Sequence, residues 1–196
     1  GALHILCAPP AGGKSFVGLD LMRCFATGAD WPDGAQNERE AGNCLLVDYE
    51  ATGREYIERA RAAGMPLKRL FFQPTGALPY LTDGSSFDFL RKCIEDINAR
   101  FVVLDSWRDG APGVNEDASG EVAPTLQPLR VIATEFNIPV LLHHHPGKVF
   151  GGNWIMQPGS LRGSGVFLSE PRLVLAIDKP NGNAENRVLK AMKRNA

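Results

Sequence analysis

The segment Ala8-Pro-Pro-Ala-Gly-Gly-Lys14-Ser15 sets one ammonium group and one hydroxyl directly after a run of small residues. Small residues let consecutive backbone N–H groups converge on an anion, and a helix that starts there adds the positive end of its peptide dipoles. The segment follows an apolar run, Leu3 to Ala8, and precedes a helical stretch, Ser15 to Thr27, the strand, loop and helix context that a phosphate-binding loop requires. In that frame Lys14 reaches the β and γ phosphates of ATP, and Ser15 holds Mg2+. Ala8 stands where the motif usually opens with glycine, whereas Gly12 and Gly13 remain where the backbone must approach the phosphates most closely. Pro10, Ala11, Gly12, Gly13, Lys14, Ser15 and Phe16 are the expected nucleotide contacts. A glycine-rich turn before a helix is the plainer alternative.

Two further strand-like runs end in acids. Phe101-Val-Val-Leu-Asp105 delivers one carboxylate from a rigid apolar support, as an Mg2+ shell needs, although such an acid also serves as an N-cap. Leu45-Leu-Val-Asp48-Tyr49-Glu50 delivers two on one face, because side chains alternate along a strand. One of that pair orients the attacking water while the other packs or caps. Glu50, farther out along the strand, is the expected catalytic base, against the alternative of a helix-capping acid.

Positioning these groups requires a sheet. Apolar runs at Leu3 to Ala8, Cys44 to Tyr49, Leu70 to Gln73, Phe101 to Asp105, Pro139 to His143 and Leu173 to Ile177 are continuous rather than alternating, as in strands covered on both faces. Helical spacing fills Ser15 to Thr27, Arg54 to Ala63, Phe87 to Asn98 and Val122 to Phe136. This alternation predicts an α/β fold with a mostly parallel central sheet and helices on both faces. Arg108 to Gly120 and Pro146 to Gly159 read as loops at the carboxyl end of the sheet, where ligands sit in open α/β folds. The 196 residues suit one domain, 1–196. No apolar run approaches the roughly 20 residues of a membrane-spanning helix, so no membrane partner and a cytoplasmic location are expected. The four cysteines, Cys7, Cys24, Cys44 and Cys93, form no CxxC pair and read as reduced thiols. With 21 basic and 22 acidic residues, the chain lacks the basic excess of a dedicated nucleic-acid clamp, so any such contact is local.

The order of these pieces resembles the RecA-like P-loop ATPase core, in particular the RepA and DnaB type of hexameric replicative helicase. The residues that carry the resemblance are the loop at Ala8 to Ser15, the strand ending in Glu50 and the helix with Arg59 after it, the strand ending in Asp105, and Asn115-Glu116-Asp117. They continue through the histidine strand Pro139 to His145 leading to Lys148, the turn Arg162-Gly163-Ser164-Gly165, and the late basic segment Lys190 to Asn195. The resemblance implies that the Glu50 and Asp105 strands are neighbours and that the histidine strand lies between the Asp105 and phosphate-loop strands. It also implies a γ-phosphate sensor on the histidine strand, at His144 or His145. Three solvated histidines are the alternative. Lys193 and Arg194 are similar to the basic residues that such subunits send into a neighbour's site. Lys190 stays open for that role, as does a merely solvated tail.

The same resemblance implies a homo-oligomer, as a hexameric ring or filament, acting on single-stranded DNA through Lys148, Trp154 and Arg162. A phosphate contact beside a stacking aromatic is the chemistry that single strands need. Trp154 and Phe150 anchoring their own loop is the competing reading. The first loop offers Arg108 but also Asp109, Glu116 and Asp117, a poor balance for gripping DNA. A ring-forming helicase is the leading function. A recombinase filament, a nucleotide-switched binding module and a P-loop kinase are the others, although no arginine-rich lid follows the Asp105 strand.

Overall fold

The computed structural model describes residues 1–50, 53–73, 76–77, 79–146, 161, 163–179 and 186–194. Its strands are β1 (Ala2–Cys7), β2 (Asn43–Asp48), β3 (Leu70–Gln73), β4 (Ala99–Asp105), β5 (Pro139–His144), β6 (Leu173–Asp178) and β7 (Val188–Arg194). The helices are α1 (Lys14–Thr27), α2 (Gly53–Ala62), α3 (Ser85–Ile97), α4 (Trp107–Gly110), α5 (Ser119–Glu135) and α6 (Val166–Ser169). One sheet of seven strands runs in the order β3-β2-β4-β5-β1-β6-β7, and every pairing except β6 with β7 is parallel. The β2 and β4 strands are neighbours, and β5 lies between β4 and β1, as the resemblance implies.

Successive residues of each central strand feed opposite layers. Leu45, Val102, Leu104, Val140 and Leu142 pack with Phe87, Leu90 and Ile94 of α3 and with Val122, Leu126 and Leu129 of α5. Leu46, Val103 and Leu141 pack with Leu19, Met22 and Phe25 of α1 and with Tyr56 and Ala60 of α2. With both faces covered, the middles of β2, β4 and β5 are apolar, and buried polar residues enter these strands only at their carboxyl ends, as Asp48, Asp105, His143 and His144. Helix α1 stops at Gly28, whose φ of 75° places it in the left-handed region and whose N–H donates to the Cys24 carbonyl.

Some elements depart from expectation: α4 occupies the start of the Arg108 to Gly120 stretch expected as a loop, and a further strand forms late in the chain. The late basic segment forms β7, an antiparallel edge strand on β6, with Val188 level with Asp178 and Arg194 level with Leu173. Its residues are mostly exposed, so it lacks the apolar run that marks a two-sided strand. The four cysteines are free thiols, and burial pushes Cys7 and Cys44 up to about 12. Among the described residues, no helix is long and apolar enough to cross a membrane.

Candidate active site

At the carboxyl edge of the sheet, the chain leaves β1 through a tight loop and enters α1 at Lys14. Gly12 donates its N–H to the Pro9 carbonyl at 2.9 Å, and a Cβ at Gly12 would lie 2.7 Å from that oxygen and 2.8 Å from the Ala8 methyl. Ala8 therefore occupies space that only a glycine at position 12 leaves open. Gly13, with φ of 101°, precedes a helix with no side-chain cap and no acid in its first turn. The first N–H groups and the positive dipole end are thus left to face an anion. Lys14 is buried and donates to the Ala8 carbonyl at 2.8 Å and the Pro9 carbonyl at 3.3 Å, with His145 Nδ1 at 3.2 Å. Burial pulls its pKa down, opposed by the charges of Asp105 and Glu50.

The carboxyl end of β4 brings Asp105 opposite this loop. Ser15 Oγ donates to Asp105 Oδ2 at 3.1 Å, and the Tyr56 hydroxyl, from α2, donates to the same oxygen. His143 Nδ1 stands 3.0 Å from it, close enough to pair electrostatically but without hydrogen-bond alignment. Burial alone would raise the Asp105 pKa. The His143 imidazole and the donors Tyr56 and Ser15 outweigh burial and hold the carboxyl well below the usual range. Its other oxygen, Oδ1, is buried without a hydrogen-bond partner among the described residues. A hydroxyl beside an ionised carboxylate with one oxygen unpartnered is a donor set that fits Mg2+.

Across the cleft, β2 ends at Asp48, and Glu50 lies two residues beyond it in the bend toward α2 rather than on the same strand face as expected. Asp48 is buried, and its Oδ1 accepts the Glu50 N–H at 2.9 Å, whereas Glu50 is exposed and lines the cleft. Partial burial raises the Glu50 pKa, reinforced by Asp105 and Asp109 and opposed by Lys14. Glu50, Asp109 and His145 each offer one ligand atom, all within 4.8 Å of one another. His145 is held below its ordinary pKa by burial and by Lys14, so its neutral Nδ1 accepts from the lysine. The cleft holds about 580 Å³ and is lined by Pro10 to Phe16, Glu50, Glu55, Tyr56, Arg59, Asp105 and His145.

All seven expected loop contacts, together with Glu50, Asp105 and His145, therefore meet in one place. His144 does not, because strand alternation turns it to the other face, where it stacks on Phe167 at 4.1 Å and meets the edge of Trp107 at 5.7 Å. Lys193 and Arg194 lie at the far end of β7, level with the start of β6, at the sheet edge opposite the phosphate loop. The Lys193 ammonium donates to the carbonyls of Leu168, Ser169 and Pro171 at 2.6, 3.1 and 2.8 Å. Lys148, Trp154 and Arg162 lie outside the described residues, as do Phe150 and most of the Pro146 to Gly159 loop. Arg108 of the first loop pairs with the buried Glu116 at 2.8 Å. The Glu116 carbonyl in turn accepts the Ser164 N–H at 2.6 Å, which docks the residues after the second loop onto the first.

The structure adds Tyr56, which the sequence does not single out. It also brings to the site three residues that the sequence names in other settings: Arg59 in the helix after the Glu50 strand, His143 among the three histidines, and Asp109 as an acid of the first loop. The spacing of Tyr56 and Ala60 marks an inward helix face, and alternation separates His143 from His144. Neither signal names Asp105 as the partner. Over residues 1–150 the sequence matches the family described as AAA domain. No curated protein matches it. Among solved structures, one ATPase domain aligns over 98% of this chain and 77% of its own, with a TM-score of 0.74 at 12% identity. Matches extend to 285 solved chains, so the fold is widely shared and the site has to carry the functional argument.

Proposed function

The chain belongs to the AAA domain family, and from that premise, with its RecA-like fold, we propose that it is an ATP hydrolase whose cleft binds Mg2+-ATP and whose turnover drives a ring-forming helicase on single-stranded DNA. The observation that carries this reading is the meeting of the Lys14 loop, the Ser15–Asp105 pair and Glu50 in one cleft. The triphosphate lies on the uncapped start of α1, and Lys14 exchanges the Ala8 and Pro9 carbonyls for phosphate oxygens. Ser15 and Asp105 would hold a magnesium ion, which would supply positive charge against the phosphates. Glu50, its basicity raised by partial burial and neighbouring acids, accepts a proton from the attacking water. In this reading His145 registers the γ-phosphate, supported by its contact with Lys14 and its position at the start of the second loop.

The resemblance to hexameric helicases supports oligomeric action, with Lys148, Trp154 and Arg162 as the single-strand contacts. It also supports a trans contribution from the late basic segment. Because Lys193 is engaged by three carbonyls, Arg194 is the member of the pair that this reading sends to a neighbour. That engagement also favours a second reading, a nucleotide-switched module with slow turnover that lacks such a finger. The deciding experiment is the ATPase rate with and without single-stranded DNA in a preparation shown to oligomerise. Stimulation is expected for the motor, and its absence moves the function to the switch. Glu50→Gln should keep ATP binding while turnover falls by about 10²-fold or more. Retained turnover removes Glu50 from the role of base.

A further inference from the structure

Three side chains from three different elements converge on a single oxygen of Asp105, and only Ser15 belongs to the phosphate loop. His143 comes from β5, and its ring sits where Gly18 of α1 leaves room: a Cβ at position 18 would lie 2.8 Å from His143 Nε2. Tyr56 comes from α2 and is 2% exposed, against 3% for Asp105. A buried phenol requires a hydrogen-bond partner, and a phenylalanine would fill the same space beside Phe72 without that requirement. The hydroxyl at position 56 therefore acts on the carboxylate rather than on packing. With Oδ2 held by Tyr56 and Ser15, the carboxylate is barred from exchanging its two oxygens by rotation, and Oδ1 remains the one without a protein partner among the described residues.

We propose that Tyr56 is a positioning residue for the metal carboxylate: its hydroxyl clamps Asp105 through Oδ2, reserves Oδ1 for the hydration shell of Mg2+, and so ties helix α2 to the ion. This inference rests on the Mg2+-nucleotide reading of the cleft. Outer-shell partners of metal-binding carboxylates fix ligand orientation, and their loss lowers metal affinity by about 10–100-fold. The tether has a second consequence, because α2 also places Glu55 and Arg59 in the cleft, with Arg59 over the Phe16 ring at 5.6 Å. Ordering at the ion is thereby passed to the helix that follows Glu50.

The test uses Mn2+ as the probe, followed by electron paramagnetic resonance on ADP-saturated protein, for the wild type and Tyr56→Phe. The variant is expected to bind metal-free ADP as the wild type does and to bind Mn2+ about tenfold more weakly. Equal Mn2+ affinity in the two proteins overturns the inference. So does a parallel loss of metal-free ADP binding, the mark of a structural defect in the cleft. A wild type that binds neither ADP nor Mn2+ overturns the nucleotide reading itself, an outcome distinct from failure of the clamp alone. Should Tyr56→Phe not fold, hydrogen exchange on the wild type decides. Adding Mn2+ to the ADP complex should slow exchange of the amides of residues 53–62, and unchanged exchange refutes the tether.

Discussion

Asp105 and Glu50 are both carboxylates at strand ends, yet their surroundings drive them apart. Asp105 is held low by His143, Tyr56 and Ser15 against the cost of its burial, whereas Glu50 is raised by partial burial and by two acidic neighbours. Separation of this kind supports the proposed roles, in which the lower group stays ionised for a cation and the higher one accepts protons. As pH falls, Glu50 takes its proton while Asp105 is still charged, so the acid limb of kcat should lie above the usual glutamate value of about 4.3. Asp109→Asn removes a negative neighbour, stabilises ionised Glu50 and should shift that limb to lower pH. A kcat profile that does not move in this variant counts against Glu50 as the titrating base. Lys14, Ser15 and Asp105 were legible in the sequence because their chemistry is local to a strand, a loop and a helix start. Tyr56 was not, since an aromatic residue at an inward helix position reads as core, and only tertiary packing carries its hydroxyl to an acid 49 residues away.

Helix α1 contains a conflict between local preference and tertiary packing. Glycine in a helix interior costs about 1 kcal/mol relative to alanine, so Gly18→Ala taken alone should stabilise. The added methyl, however, would stand 2.8 Å from His143 Nε2, and that imidazole is wedged between α1 and Asp105. Gly18→Ala should therefore destabilise by about 1–3 kcal/mol, the range for an overpacked core. In a His143→Ala background the clash is gone and the same substitution should turn neutral or stabilising, a non-additivity that denaturant midpoints of the four proteins measure. A stabilising Gly18→Ala in the wild type contradicts a fixed His143. The loop before α1 obeys the same logic, since Gly12→Ala would push a methyl to 2.7 Å from the Pro9 oxygen. Isothermal titration should show ATP binding lost in a variant that remains folded. At this scale periodicity was a sound guide even for α5, which keeps its helix despite Pro124 and Pro128 because Val122, Leu126, Leu129 and Ile132 are buried. It failed for β7, whose exposed residues pair along one edge only and leave no apolar pattern to read.

Taken as a whole, the molecule brings its chemistry to one edge of the sheet through topology. Because β5 lies between β4 and β1, the strand that leads to His145 emerges between Asp105 and the phosphate loop, and the second loop begins there. The strand order was legible only through the resemblance, since composition says nothing about which parallel strands are neighbours. At a formal net charge of -1, long-range attraction to nucleic acid is negligible, and screening confines any grip to about 8 Å at physiological salt. Of the basic residues near this edge, Arg108 is already neutralised by Glu116, and Lys14 faces the cleft rather than the solvent. Lys148 and Arg162, which lie outside the described residues, are the cations that the proposed motor assigns to phosphates. Each phosphate neutralised on a single strand contributes about 0.7 to the slope of log affinity against log salt. Lys148→Ala with Arg162→Ala should flatten that slope by about 1.4 per subunit engaged, measured by fluorescence anisotropy of labelled oligodeoxythymidine across a salt series. The same double variant should lose stimulation of ATPase by single-stranded DNA while its DNA-free turnover persists, because the proposed hydrolysis uses Lys14, Ser15, Glu50 and Asp105 and neither of these two residues. An unchanged slope would remove the second loop from the DNA path and shift the motor reading toward the nucleotide switch.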